Sequence, residues 1–426
     1  MHDNNYIAEL DSIFKNDYNG LITLEATVDT GFEGVALDEC KEMFGAETPS
    51  FKTRGRIFFV IPQHEYYKVH CLRAVDNLFL IGAVISNLLS STSNEKEADL
   101  EEIKTLPDKL EWKDSLKIWK DCVGFNGVLY PSKEEQEEGN RTKIAQLEIL
   151  KSLGVTDRIA ITESLNSFSP FLRYRVTCNR VGTHSFGSMD AAKDFGGRLH
   201  DLFNWVIDLT TYNIDVVLNI CNNKAYVGLG LTRLSKHRRN ITHFGPTTLR
   251  ATVCYGLLRL ASPQPGDIVI DPLCGGGSIP IESALAYPLT YNICGDAHEK
   301  AVVRSLNNID SLGPKKTVPV DVLHWNATKL PLRSSSVDVF VTDLPFGKRS
   351  GHKTDNRLLY KNVLLELGRV VRPNTGRAVL LTHDRRTFVR VLPQTQGLWK
   401  QTKVLGVNLG GLQAGVFQLL RTSKLL

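Results

Sequence analysis

The chain has 426 residues, 42% of them apolar and 23% charged, proportions that exclude a mostly disordered polymer and suggest about two to four folded domains. The 51 Lys and Arg against 46 Asp and Glu leave a net charge of +5, too mild to exclude either a nucleic-acid or a small-molecule partner. Eight dispersed cysteines without a C-x-x-C pair, behind an N-terminus with no basic start and no apolar core, argue against a zinc knuckle, a redox dithiol and a secreted disulfide scaffold, and for reduced thiols inside the cell.

In chain order, Leu21 to Val28 alternates as a half-buried strand, and Thr30-Gly31-Phe32-Glu33 opens a helix through Phe44. Arg56 to Ile61 reads as a second strand, with a helix expected through Cys71-Leu72-Arg73, an order that suggests a small α+β layer. The apolar stretch Leu78 to Leu89 is interrupted by Ser86 and Asn87 and is short of the roughly 20 residues a membrane span needs. Residues 94–111 carry seven acidic and three basic side chains, and Pro131 to Arg141 adds Glu134, Glu135, Glu137 and Glu138. Both stretches read as a solvated linker or an exposed helix face.

Leu172 to Cys178 then alternates as a strand, Asp190 to Trp205 has helical spacing, and Asp215 to Ile220 and Ala225 to Gly230 form strands around an Asn222-Asn223-Lys224 turn. Residues 171–260 hold twelve Lys and Arg against five Asp, so the positive charge concentrates there. Its densest point is Lys236-His237-Arg238-Arg239. Lys236, Arg238 and Arg239 are candidates for RNA phosphates, and Lys193 and Arg198, on the expected helix, are weaker ones. From Pro246 onward strands at 268–270, 291–294, 318–322, 337–341 and 378–381 alternate with helical stretches, the pattern of a mostly parallel sheet covered on both faces.

Two constellations carry the chemistry. A strand ends at Asp271 and runs into Pro272-Leu273-Cys274-Gly275-Gly276-Gly277-Ser278 before a helix, and Asp296 closes the next strand. Glycines there let backbone approach a ligand, and an acidic group at the end of the next strand suits ribose hydroxyls. A nicotinamide fingerprint would need its third glycine where Pro280 stands, whereas the early Asp271 suits a cationic ligand. The D-x-x-x-G-x-G spacing therefore favours S-adenosylmethionine, held by Asp271, Cys274, Gly275, Gly277 and Asp296. The second constellation, Asp343-Leu344-Pro345-Phe346 after the fourth strand, fits the [DNS]-x-P-[FYW] pattern of amino-group methyltransferases. Asp343 and the Leu344 carbonyl would accept the two N–H bonds of an exocyclic amine, and Phe346 would stack on the base, with Pro345 the fixed member of the motif between them. Both constellations fall at carboxyl ends of parallel strands, where open α/β sheets bind ligands.

Three further segments complete the pattern: Asn240 to Arg250 ahead of the sheet, Arg175-Val176-Thr177-Cys178-Asn179-Arg180 with Ala192 to Gly197, and His70 to Asn77. In order along the chain, these and the two constellations resemble the THUMP-domain tRNA guanine-N2 methyltransferases. The resemblance implies an α/β fold in which a class I, Rossmann-like methyltransferase domain (233–426) follows an N-terminal ferredoxin-like α+β region with its acidic linker (1–108) and a THUMP RNA-binding domain (109–232). It implies N2-methylation of a guanosine in the acceptor stem of tRNA, with the THUMP module holding the 3′ end, a small zinc-binding activator subunit as partner, no metal in this chain, and a cytoplasmic location with a nuclear pool. One departure stands out. The family has Asp where this chain has Asn326, and that Asp accepts the adenine N6–H of the cofactor. The Asn carbonyl can still accept one bond but lacks the charge. An adenine-N6 amino-methyltransferase uses the same D-x-P-F chemistry and stays open as an alternative, as does a non-catalytic THUMP protein that binds tRNA.

Overall fold

The computed structural model describes residues 6–15, 20–89, 95–152, 170–313, 318–345 and 353–424, which fold around two sheets. The first sheet takes β1 (Leu21–Thr27), β2 (Ser50–Thr53), β3 (Arg56–Pro62), β4 (Asn77–Ile85), β5 (Arg173–Val181), β6 (Val206–Ile207), β7 (Ile214–Cys221) and β8 (Lys224–Gly230) in the order β2-β3-β1-β4-β8-β7-β5-β6. Its halves join where β4 pairs antiparallel with β8, so one sheet runs across the boundary expected at 108/109. β4 has no clean alternation because it is covered on both faces: Leu78 and Leu80 belong to the main core, and Ile81 packs in a separate cluster with Phe58 and Tyr226. The segment expected as a helix before it is a 3-10 turn, Gln63–Cys71.

The acidic stretches are helical. Lys96–Thr105 buries Asp99 and Ile103, with Ser185 donating to the Asp99 carboxylate, so this stretch is part of the body rather than a linker. Lys133–Ser152 keeps Glu134, Glu135, Glu137 and Glu138 exposed. Between them, helix Trp112–Val123 packs its apolar face on the sheet, where Trp119 Nε1 donates to the Gly230 carbonyl at 2.8 Å.

The second sheet contains β9 (Ile268–Asp271), β10 (Tyr291–Asp296), β11 (Val320–His324), β12 (Val339–Asp343), β13 (Arg377–Thr382), β14 (Trp399–Leu409) and β15 (Leu412–Arg421), ordered β11-β10-β9-β12-β13-β15-β14. The five strands expected from the sequence are all present and parallel, and β15 inserts antiparallel beside β13. The terminal hairpin was not among the expected elements. Residues 400–404 of β14 are exposed and mostly polar, which removes the apolar signal. The turn itself, Gly410-Gly411 at φ +59° and +90°, has the two left-handed positions a tight hairpin requires. The strand order reverses at β9, which neighbours both β10 and β12, and this opens a crevice beyond their carboxyl ends.

The two bodies meet through the sequence segments that composition alone left unexplained. Asn408 N donates to Thr30 O at 2.9 Å. Gly31, at φ +104°, lies so close to β14 that a Cβ would sit 2.4 Å from the Gly406 oxygen. Arg250 pairs with Asp29 at 3.0 Å, and Thr252 donates to Asp76 at 2.8 Å. Among the described residues, no helix is long and apolar enough to cross a membrane.

Candidate active site

The crevice contains a cavity of about 350 Å³ lined by both constellations. Its floor is the turn after β9. Gly275 (φ +57°) and Gly277 (φ +79°) take left-handed conformations, and a Cβ on Gly277 would come within 3.2 Å of Ser305. The helix Ser278–Ala286 starts directly behind, with Pro280 in its first turn, where a missing N–H costs nothing. Cys274 N donates to Gly295 O at 3.0 Å, and Gly275 N to Asp296 Oδ2 at 3.1 Å, while Asp296 Oδ1 accepts from His298 N at 2.9 Å. Asp296 thus fastens the glycine loop and faces the cavity with its remaining lone pairs. Cys274 is buried against Ser305 and lines the same wall.

Asp271 is tied to the second constellation: Thr342 Oγ1, on β12, donates to its Oδ1 at 2.6 Å, and Leu273 N does so at 3.2 Å. Burial pushes the Asp271 carboxyl up to about 7, against these bonds and with help from the charge of Asp296. One residue beyond Thr342, burial and the neighbouring Asp271 push Asp343 up to about 8. Asp343 Oδ1 is buried and, among the described residues, meets no hydrogen-bond partner, although it lines the cavity. A carboxylate oxygen held out of water with nothing to accept from is a cost of about 1–3 kcal/mol unless a ligand supplies the donor. Leu344 and Pro345 form the adjoining wall. Phe346 lies outside the described residues.

Four contributors were not legible in the sequence. Tyr360 is fully buried and donates to the Pro345 carbonyl while meeting Thr382 Oγ1 at 2.9 Å, which fixes the turn after Asp343. Asn356, one helical turn earlier on the same face, is 1% exposed, lines the cavity and has an Nδ2 with no partner among the described residues. Asn308 ties the segment before the sheet to the glycine loop: its Oδ1 accepts from Thr242 N and His243 N, and its Nδ2 donates to Gly276 O at 2.8 Å. Arg304 brings a cation to the cavity wall beside Gly245 and Gly276. A lone Asn, Tyr or Arg on an amphipathic helix carries no sequence signal; only the fold brings these four together.

Asn326 sits at the exposed rim, and its Oδ1 already accepts from Thr328 N at 2.9 Å and Thr328 Oγ1 at 2.8 Å. The acceptor expected to meet an adenine amine is therefore engaged within its own turn, and the amide presents N–H instead. The basic run is also redirected. Lys236 Nζ donates to the carbonyls of His70 and Leu72, and Arg239 pairs with Glu282 at 2.6 Å and donates to Arg73 O. These two cations bind the interior rather than face outward, and Arg238 remains exposed. Arg198 makes a two-bond pair with Asp108, at 2.8 and 2.6 Å, while Lys193 is exposed.

Comparison with known proteins identifies the fold and the family. Residues 238–415 match the RMKL-like methyltransferase domain family. TrmN from Thermus thermophilus shares the fold, with a TM-score of 0.70 at 23% identity over 94% of this chain and 99% of that one. So does SMU.472 complexed with SAH, at a TM-score of 0.65 and 13% identity over 96% of this chain and 100% of that one. The tRNA (guanine(6)-N(2))-methyltransferase THUMP3 of Bos taurus is 42% identical and that of Homo sapiens 40%, each over 95% of this chain and 89% of the relative. With such identity sustained across both sheets, the chain belongs to the THUMP3 family of tRNA (guanine(6)-N(2))-methyltransferases.

Proposed function

We propose that this chain transfers a methyl group from S-adenosylmethionine to N2 of a guanosine in tRNA, at the acceptor-stem position 6 that its relatives' names carry. The observation that carries the reading is the unpartnered Asp343 oxygen in a cavity whose other walls are the glycine loop and Asp296. A cavity ringed by Asp271, Asp296 and Asp343 fits a ligand that combines cationic groups with ribose hydroxyls. The glycine loop and Asp271 would hold the methionine end, Asp296 the ribose, and the rim at Asn326 the adenine. When bound, that cofactor supplies an electrophilic methyl on a sulfonium.

The protein's own part is to orient and deprotonate. The guanosine must leave its stack to enter, because N2 of a paired guanine lies in the groove. Asp343 accepts an N2–H bond and aligns the nitrogen lone pair. As the N–C bond forms, the amine becomes acidic, and a carboxylate with affinity for a proton near neutral pH is matched to take it. Asn356 Nδ2 offers the adjacent donor to a ring acceptor of the base, and Tyr360 keeps the Pro345 turn in place. The exposed cations Lys193, in the first body, and Arg238, in the connecting segment, remain available to RNA phosphates. The activator subunit would find an open edge at β11, which among the described residues pairs only with β10 and is flanked by the exposed side chains of Tyr291, Val303, Leu306 and Leu323. A tRNA substrate suits the cytoplasm with a nuclear pool.

The test is methyl transfer from labelled S-adenosylmethionine to unmodified tRNA transcripts, with and without the activator, followed by nucleoside analysis. Label in N2-methylguanosine is expected. Label in N6-methyladenosine would favour the adenine alternative, and no label even with activator would favour a binding protein.

Two further results are expected of the cofactor site. Titrated by calorimetry, S-adenosylmethionine should bind more tightly as pH rises from about 6 to 8 and level off above. Asp271 and Asp343 titrate near 7 and 8 in the free protein, and a cationic ligand favours their ionised forms, so binding releases protons below those values. A flat profile would mean that neither carboxyl senses the cofactor. Separately, Asn326→Asp should keep the Thr328 bonds through one oxygen and present the second as a charged acceptor. A gain of about 1 kcal/mol, close to fivefold in affinity, is the difference between a charged and a neutral bond at an exposed rim. An unchanged affinity would remove residue 326 from adenine recognition.

A further inference from the structure

The proposed reaction requires a grip on the RNA strand next to the flipped nucleotide, and the basic run that the sequence offered is largely turned inward. A second basic surface lies beside the active site. Beyond β13 the chain turns through His383 and Asp384 into the short helix Arg385–Val391, which packs against Phe417 of β15 through Phe388. Between this helix and the β14–β15 hairpin runs an open groove of about 810 Å³, walled by Arg385, Arg386 and Arg390, with Gln401 and Gln413 opposite.

Three features mark this groove as a polyanion site. Arg385, Arg386 and Arg390 are all exposed, and among the described residues none has an ion-pair partner. Most other arginines among the described residues are paired or donate to carbonyls, as Arg369, Arg372 and Arg377 do nearby. Arg386 and Arg390 stand four residues apart on one helix face, a like-charge arrangement that weakens an isolated helix. The carboxylate in the groove, Asp384, already accepts from Thr387 N as the helix cap.

The position is equally specific. Asp343 is registered against Leu381 on the neighbouring strand, so the turns after β12 and β13 lie side by side at one strand spacing, about 5 Å. The Tyr360 hydroxyl joins them, meeting Pro345 O on one side and Thr382 Oγ1 on the other. The arginine helix thus starts from the turn next to the one that carries Asp343.

We infer that the groove formed by Arg385, Arg386 and Arg390 binds the phosphate backbone of the RNA strand that carries the target guanosine, independently of its sequence. The inference rests on the tRNA reading above and assigns it a docking surface. It is tested in the full-length chain with Arg386→Glu/Arg390→Glu and the milder Arg386→Gln/Arg390→Gln. Binding of an unmodified tRNA transcript is measured against salt, beside methyl transfer and a cofactor titration.

The charge reversal should weaken tRNA binding at least tenfold at about 0.1 M salt and raise KM for tRNA in step. The slope of log affinity on log salt should fall by roughly 1.5, the share of two phosphate contacts at 0.7–0.9 each. Cofactor affinity and melting temperature should stay at the wild-type values. If the reversal lowers the melting temperature, the Gln pair decides by the same readouts. An unchanged tRNA affinity and salt slope overturns the groove while a wild-type protein that methylates tRNA keeps the proposed function. A wild-type protein that binds tRNA without methylating it sinks the proposed reaction, and the slope still decides the groove.

Discussion

Alanine at Asp343 should silence methyl transfer and at the same time stabilise the free protein. The two effects have one cause. In the folded chain the carboxyl is pushed up to about 8 by burial and by Asp271, while an unfolded aspartate titrates near 3.9. Between those values the folded state holds a proton that the unfolded state has lost, so stability falls as pH rises across the range. The ionisation-linked cost to the fold is thus largest above about pH 8 and absent below about pH 4. Removing the side chain should raise the denaturation midpoint by the equivalent of at least 1–3 kcal/mol at pH 8, the usual scale for a buried polar group without a partner, and by distinctly less at pH 4, where the carboxyl is neutral in both states.

Transfer, by contrast, should fall by a factor of about 10²–10³ or more, because both the orienting bond and the proton acceptor are gone. Cofactor and tRNA binding should persist, since the glycine loop, Asp296 and the RNA contacts are untouched. Asp343→Asn separates the two roles: an amide oxygen still orients the amine but does not take its proton at neutral pH, so an intermediate rate is expected. A variant Asp343→Ala that melts lower and loses both ligands would make the residue structural. The gain in stability and the loss of activity, read on the same sample, is the signature of a group kept for chemistry at a cost to the fold.

Which parts of this arrangement the sequence disclosed follows from how local each signal is. The glycine loop, Asp271, Asp296 and the Asp343-Leu344-Pro345 turn are read directly, because a strand, a turn and the next helix are contiguous and their residue types are chemically restrictive. The five parallel strands were equally visible, since burial on both faces writes short apolar runs. The β4–β8 joint was not, because its partners lie about 150 residues apart and neither strand alternates. The terminal hairpin was hidden by the polar, exposed start of β14.

Charge was the least legible property. Lys236 and Arg239 belong to the densest basic run in the chain, yet nothing near them in sequence reveals that a buried glutamate 43 residues later will accept one, or that backbone carbonyls of the first body will accept the other. Arg386 and Arg390, less conspicuous in the sequence, face outward, as Arg238 does.

That buried glutamate gives the second large effect. Glu282 is 1% exposed and accepts from Arg73 Nε at 2.9 Å, from Arg239 Nη2 at 2.6 Å and from Asn240 Nδ2 at 3.3 Å. Arg73 comes from the first body, Arg239 and Asn240 from the connecting segment, and Glu282 from the helix behind the glycine loop, so one carboxylate fastens the first body to the methyltransferase sheet. Glu282→Ala would leave two guanidinium groups facing each other without a counter-charge. Breaking one side of a buried pair costs about 3–5 kcal/mol. Arg73 and Arg239 keep 27% and 17% of their side-chain surface exposed, which places the expected loss near the lower end, about 3 kcal/mol in chemical denaturation.

Two companions distinguish the clamp from a simple packing defect. Glu282→Gln keeps the volume and two acceptor lone pairs and should lose less. Adding Arg73→Met and Arg239→Met to Glu282→Ala removes the uncompensated charge and should recover a large part of the loss, as replacing every member of a buried ionic cluster does elsewhere. If the triple variant is less stable than Glu282→Ala by the sum of the single effects, the three residues act independently and the clamp does not exist. Where it does exist, the loss must appear more strongly in transfer to tRNA than in cofactor binding. The cavity proposed for the cofactor is lined from the second body alone, whereas on the proposed function a tRNA held by the first body would reach Asp343 only while Glu282 keeps the two bodies in register.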